Sequence, residues 1–212
     1  AARTRNQHEF TRKNAVEYVP HTTGILSDLF EYISYAKSEE QITVTIDDIA
    51  AVLNVADINS ILDQYYKQGK GEDPIMHFYE TFLNQYDPSM REKRGVYYTP
   101  ESVVKYIVRS VHEILKTDFN MPDGLANKDV TLLDPAAGTL TFPAEAIKLA
   151  VETYVNKYGE GGKDNFIRRQ ILPNFFAFEL MMAPYAIGHM KVAYLLESLG
   201  FQMKGDDAFK LY

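Results

Sequence analysis

Along residues 1–92 the apolar positions fall three and four apart, the spacing of amphipathic helices. In TTGILSDLFEYISYA (residues 22–36), Ile25, Leu29, Ile33 and Ala36 form one stripe. TIDDIAAVL (residues 45–53) and INSILDQYY (residues 58–66) predict a helical pair about a turn at residues 54–57. The pair has a helix-turn-helix outline, and two packed helices joined by a short turn describe it as well. DPIMHFYETFLNQY (residues 73–86) predicts a further helix, with Asp73 as N-cap and Pro74 at the first helical position.

The segment DPSMREKR (residues 87–94) is polar and basic, as a linker would be, and beyond it the pattern changes. A helix is predicted from Glu101 to about Lys116, with Val104, Val108, Val111 and Leu115 on its buried face. The short apolar run VTLLD (residues 130–134) reads as a strand of the kind buried on both faces of a parallel sheet. A small-residue turn, PAAGTLTF, follows it, and then a helix from Pro143 to about Tyr158. FFAFE (residues 175–179) is the second strand candidate, followed by a helix from Pro184 to about Leu199. Strand, glycine turn, helix, strand and helix in succession open a doubly wound α/β sheet.

Composition narrows the setting. The chain has 212 residues and no cysteine, which removes disulfides and thiolate metal sites and fits a reducing cytoplasm. No apolar run is long enough to cross a bilayer. The formal net charge is -7, so the chain as a whole lacks the basic surface with which proteins grip DNA phosphates. Any strong DNA grip is therefore expected from residues outside these 212. His8, His21, His77, His112 and His189 are scattered, none at zinc-ligand spacing with carboxylates, so no metal is assigned.

The candidate chemistry sits where strands end. In an open parallel sheet, ligands bind beyond the carboxyl ends of the strands. Ala136, Ala137 and Gly138 would let backbone amides approach such a ligand with little side chain in the way. Asp134, closing the first strand, would repel a pyrophosphate but pair with an ammonium group. Neither GxGxxG nor a Walker lysine motif is present, which disfavours an NAD-dependent dehydrogenase. Glu179 closes the second strand, where a carboxylate can accept both hydroxyls of a ribose. In GVYYTP (residues 95–100), Thr99 as N-cap and Pro100 at the first helical position suit a helix start, and a helix N-terminus is a carboxylate site.

GVYYTP, LLDPAAGTLTFPAEAI and FFAFELMMAPYAIGHMKVAYLL, in this order and at these distances, resemble the amino-methyltransferases of restriction–modification systems. The chain is most similar to adenine-specific enzymes that carry nuclease and methylase in one polypeptide (type IIG and type ISP), and also to type I modification subunits. The resemblance covers about residues 75–205. Beyond the helical region that the pattern predicts over 1–92, it implies over 93–212 the first part of a Rossmann-like domain that binds S-adenosylmethionine. On that resemblance Tyr97, Thr99 and Pro100 match the N-terminal cofactor motif, with Thr99 near the methionine carboxylate. Asp134, Pro135, Ala136, Gly138 and Thr139 match the motif holding the methionine moiety. Glu179 matches the ribose-binding acid, and Leu180 would line the adenine pocket.

Two departures matter. The family turn reads GTGTF or GSGGF, whereas this chain has GTLTF; a leucine does not adopt a positive φ cheaply, so an altered turn and weak affinity are expected at Leu140. The catalytic tetrapeptide (Asn or Asp, Pro, Pro, Tyr or Phe) occurs nowhere in the 212 residues, so no catalytic residue is assigned and the chain alone is expected to be inactive. Double-stranded DNA is the expected partner of the full-length protein, through base flipping. Self-association through an unpaired sheet edge is expected of the chain alone. A non-catalytic helical interaction module, or a methyltransferase acting on RNA or protein, stands as the alternative.

Overall fold

The computed structural model describes residues 10–14, 28, 31–35, 40–57, 60, 99–204 and 207–212. Two compact units divide the chain, Ala1–Pro74 and Ile75–Tyr212. The sequence-based boundary at 92/93, the helix expected over 73–86, nearly all of that over 58–66, and the basic segment with Arg91, Lys93 and Arg94 lie outside the described residues.

In the first unit, helix α1 spans Glu40–Val55 and so starts before the expected residue 45. The β-branched Thr45 is accommodated because its hydroxyl donates back to the Gln41 carbonyl (2.9 Å). Arg12 draws the preceding segments together: its guanidinium donates to the carbonyls of Ile33 (2.8 Å) and Ser34 (2.9 Å) and pairs with Asp47 on α1 (2.9 Å). The buried Ser34 hydroxyl returns a bond to the Arg12 carbonyl (2.9 Å), which leaves no polar group of that contact unpaired.

The second unit opens with α2 (Glu101–Thr117), which buries Val104, Val108 and His112. Val111, expected on the buried face, is exposed instead. The helix is turned so that His112 packs on a 3-10 turn at Gly124–Ala126, where its Nδ1 accepts the Leu125 N–H (3.2 Å). Gly124 sits at φ +52 directly against the imidazole, and only a residue without Cβ fits there.

Strands β1 (Leu132–Asp134), β2 (Phe175–Ala177) and β3 (Lys210–Leu211) form a parallel sheet in the order β1-β2-β3. Leu132 aligns with Phe175, Asp134 with Ala177, and Ala177 with Leu211. Both anticipated strands are shorter than expected, and β3 was not anticipated. β1 begins late because Gln170 intervenes: its amide donates to the carbonyls of Asn127 (3.0 Å) and Val130 (3.3 Å), where ladder partners would stand. Gln170 reaches inward from a π-helical turn, Ile167–Ile171, between α4 (Lys163–Phe166) and α5 (Leu172–Asn174). That one-residue widening of the helix interior re-aims a side chain.

The crossover helices are α3 (Thr141–Tyr158) and α6 (Met182–Ser198). Ala144, Ala146, Ile147, Ala150 and Val151 of α3 join Phe175, Ala177, Leu196 and Leu211 in one core. Phe175 and Ala177 point into it, while Leu133 and Phe178 on the opposite pleat are exposed. The expected α/β architecture is borne out: crossover helices joined to a small parallel sheet whose carboxyl ends gather the turn after β1 and the corner after β2.

Candidate functional site

The parallel register brings the ends of β1 and β2 side by side, and the backbone continues to pair past the strands. Phe178 donates to the Asp134 carbonyl (2.9 Å) and Ala137 donates to the Phe178 carbonyl (2.9 Å). On the far side of the corner, Glu179 donates to the Tyr212 carbonyl (2.8 Å). Residues 134–140 and 177–181 therefore form one bracketed structure.

Glu179 closes the bracket with its side chain. One carboxylate oxygen accepts the Gly138 N–H (2.8 Å) and the other accepts the Met181 N–H (2.7 Å). These are charge-assisted bonds to backbone donors, stronger than neutral ones, and they hold the β1 turn to the β2 corner across 41 positions of sequence. Gly138 is at φ +54, and a Cβ built on it would have no atom within 4 Å. The glycine thus serves the backbone conformation and leaves open space above the turn.

Asp134 is half-buried and accepts the Ala136 N–H (3.2 Å). Burial pushes its carboxyl above the usual range, the negative charge of Glu179 adds to the rise, and the Ala136 hydrogen bond opposes it. Two carboxylates at adjacent strand ends make the crevice electronegative and favour a cationic group. Leu180, next to Glu179, is 95% exposed, an apolar side chain held in solvent at the rim.

Leu140 corrects an expectation. It takes a left-handed conformation (φ 62, ψ 33) as the residue before α3, and the turn closes normally: its N–H reaches the Ala137 carbonyl (2.8 Å) and its own carbonyl accepts from Ala144 (2.9 Å). The side chain is fully buried. Left-handed backbone costs a leucine roughly 1 kcal/mol, and burying its side chain returns about 2 kcal/mol, so the conformation is affordable here.

Thr99 and Pro100 stand before α2, but with roles shifted by one. Pro100, extended at ψ 137, is the cap, and no side chain bonds the helix end. Its carbonyl accepts from Val103 (2.9 Å) and Val104 (3.1 Å). Thr99 is therefore not the N-cap that was expected. Among the described residues no hydrogen bond joins Thr99 or Pro100 to the Asp134–Glu179 cluster, and Tyr97 lies outside the described residues. Pro135 and Ala136 are in the turn; Thr139 is buried there, its hydroxyl 3.5 Å from that of Thr141.

Two nearby groups escaped sequence reasoning. Lys191 on α6 donates to the Thr141 hydroxyl (3.1 Å) at the start of α3, a contact across 50 positions that no motif announces. His189, also on α6, is buried edge-on to Tyr185 with ring centroids 4.6 Å apart, and its Nε2 finds no hydrogen-bond partner among the described residues. Burial lowers its pKa to about 4, so it is neutral at pH 7. Asp207 is committed to a bidentate contact with Arg168 (3.1 and 2.9 Å) and accepts the Lys204 N–H.

A parallel α/β unit with acidic strand ends around a glycine turn places its candidate ligand site at the sheet's carboxyl edge. More narrowly, the family model described as N-6 DNA Methylase matches residues 70–186, more than half of the chain, and the chain belongs to that family. Among solved structures it is similar to a nuclease-deletion mutant of the Type ISP restriction-modification enzyme LlaGI with a DNA substrate mimic (TM-score 0.58, 23% identity, 96% of this chain, 15% of that one). It is also similar to the protein of a DrdV–DNA complex (TM-score 0.59, 19% identity, 93% of this chain, 17% of that one). The ATP-dependent Type ISP restriction-modification enzyme LlaBIII bound to DNA is a third (TM-score 0.56, 21% identity, 94% and 13%). The chain thus spans less than a fifth of each of these proteins. No curated protein sequence matches it. Among the described residues no helix is long and apolar enough to cross a membrane.

Proposed function

We propose that residues 93–212 form the S-adenosylmethionine-binding portion of an adenine-N6 DNA methyltransferase of a cytoplasmic restriction–modification system. The observation that supports this most directly is the bracket itself: Asp134, Gly138 and Glu179 gather at one strand edge with open space above Gly138. The donor set fits the cofactor. Asp134 accepts the amino acid ammonium, and its raised pKa is relieved by that cation. Glu179 retains lone pairs on both oxygens for the ribose hydroxyls, beyond those used by Gly138 and Met181. Leu180 offers an apolar surface to the adenine, and Ala136, Gly138 and Thr139 present backbone to the methionine moiety. Thr99 and Pro100, before α2, are assigned to its carboxylate, with Tyr97 of the same sequence motif. The bound cofactor supplies an electrophilic methyl group on sulfonium; the residues of this chain bind and orient it.

The acceptor is an adenine flipped out of double-stranded DNA, delivered by the longer protein. The 212 residues contain no NPPY-type tetrapeptide to hold that base, so the chain assayed by itself transfers no methyl group. Incorporation of labelled methyl into DNA adenine by the purified chain would contradict this. Calorimetric titration with S-adenosylmethionine and S-adenosylhomocysteine tests the cofactor assignment: saturable binding is expected, lost in both Asp134→Ala and Glu179→Ala. No binding by the native chain at millimolar ligand would favour the non-catalytic interaction module instead.

Among the described residues β1 pairs only with β2, so no described strand covers its other edge. Self-association of the isolated chain through that edge is part of the proposal. A strictly monomeric species in light scattering at high concentration would remove that part and leave the cofactor assignment standing.

A further inference from the structure

The cofactor turn of this chain is locked from beneath by a contact that its sequence motif does not contain. Leu140 projects a fully buried side chain from the end of the turn onto Gly188 of α6. A Cβ on Gly188 would stand 2.9 Å from the Leu140 Cγ and 3.0 Å from its Cδ1, with a Leu211 methyl at 3.5 Å. The leucine therefore occupies the notch left by the missing side chain, in contact with the helix that begins three residues after Glu179. Glu179 in turn holds the Gly138 amide (2.8 Å), two residues before Leu140. Turn and corner are thus tied twice, by a carboxylate above and by an apolar wedge below. The two ties form a closed loop through residues 138–140 and 179–188.

We propose that Leu140 is a positioning residue of the cofactor site: wedged against Gly188, it fixes α6 relative to the turn and so sets Glu179 on the Gly138 amide. The wedge does not touch the ligand. It acts through Glu179, and its bearing on cofactor affinity rests on the function proposed above. A glycine at 140 would allow the turn the same φ but would leave the notch empty and the corner free to shift.

The test is residue-resolved amide exchange on the ligand-free chain, with cofactor titration alongside. The Gly138 and Met181 amides report the Glu179 bracket, while the Phe178 and Tyr212 amides, bonded to Asp134 and Ala177, report the sheet. Leu140→Gly is expected to speed exchange at Gly138 and Met181 about tenfold more than at Phe178 and Tyr212, and to weaken S-adenosylmethionine binding about tenfold. Gly188→Ala, which leaves the backbone at 140 alone, is expected to do the same. Combined with Leu140→Gly it is expected to be silent or restorative, because the added methyl then fills the vacated notch. Equal exchange at all four amides in both single variants, or additive harm in the double variant, would overturn the wedge. A native chain that binds no cofactor, but whose Gly138 exchange still responds to Leu140→Gly and is rescued in the double variant, supports the wedge and removes the functional reading. A variant too unstable to measure is replaced by the other, since each perturbs the contact from one side.

Discussion

The buried side chain of Leu140 lies over Gly188, close enough that a methyl group on that glycine would stand 2.9 Å from the Leu140 Cγ. A bulky residue in left-handed backbone and a residue without a side chain on the facing helix are two halves of one fit. Leu140 is tolerated in a glycine's place because Gly188 makes room for it.

Substitutions at 140 should therefore rank in an unusual order. Truncating a buried leucine to alanine costs about 2–5 kcal/mol, and an alanine at φ 62 would keep the backbone strain. Glycine removes the same packing but relieves roughly 1 kcal/mol of that strain. We expect Leu140→Ala to destabilise the chain by about 3 kcal/mol and Leu140→Gly by about 2 kcal/mol, measured by urea unfolding. At an ordinary helical or strand position the glycine would be the worse of the two, so a glycine variant less stable than the alanine one would refute the strained, packed conformation.

A similar steric argument applies at the other end of the core. Gly124 sits at φ +52, and a Cβ there would fall 2.6 Å from two atoms of the His112 ring. Gly124→Ala combines left-handed strain with overpacking, about 3 kcal/mol in all. The loss should shrink when His112 is replaced by alanine in the same chain. Thermal or urea unfolding of the four variants of this cycle checks it, and strictly additive losses would show that the ring is not the obstacle.

How much of this was legible beforehand depends on range. LLD, PAAG and FFAFE announce themselves because a buried parallel strand needs a continuous apolar run and the turn after it needs small residues. Asp134 and Glu179 were recognisable as strand-end acids for the same local reason. That Glu179 holds the Gly138 amide was not legible, because it depends on the alignment of Asp134 with Ala177, which is set by packing. β3 has two residues, too few for any period. On α2 the spacing 104, 108, 111, 115 and the spacing 104, 108, 112, 115 are equally helical; hydrophobicity alone favours the valine over the histidine, and the notch at Gly124 decides the matter. Leu140 looks like damage to the turn from sequence alone, since its compensation lies 48 positions away on another helix.

The buried histidines predict acid lability. His189 titrates near 6.5 when unfolded but at about 4 in the folded chain, through burial. Its contribution is fully present above about pH 6.5 and is lost as the pH falls towards about 4, because the unfolded state binds the proton more readily across that window. The loss amounts to about 2 kcal/mol by about pH 5. His112, lowered by burial and by Lys116 against an opposing Glu113, acts in the same direction. His189→Phe keeps the aromatic contact with Tyr185 and has no proton to bind, so its stability relative to the native chain should rise between pH 7 and pH 5. A constant difference across that range would contradict a neutral, buried His189.

Glu179 can be probed without removing its bulk. Its two oxygens each accept a backbone N–H, from Gly138 and from Met181. Glu179→Gln keeps one acceptor and turns an NH2 towards the other amide, setting donor against donor in a half-closed site. A lost charge-assisted bond plus an unsatisfied amide amounts to about 2 kcal/mol. Cofactor affinity should fall further than in Glu179→Asp, which keeps both acceptors. If glutamine binds as well as glutamate, the bracket is not what shapes the site.

The pH dependence of binding isolates Asp134 from every structural effect. Its carboxyl is pushed above the usual range, first by burial and then by the charge of Glu179. An ammonium group pairs only with the ionised form, so the proton held by free Asp134 has to leave on binding. Affinity should be level above the raised pKa and fall about tenfold per pH unit below it. In the same window, titrations in buffers of different ionisation enthalpy should reveal a proton released by the protein. Asp134→Asn should bind weakly and without that dependence. Native affinity that stays level down through the ordinary carboxylate range would mean that the cation of the ligand does not sit on Asp134, and that the acid at the end of β1 serves the turn alone through the Ala136 amide.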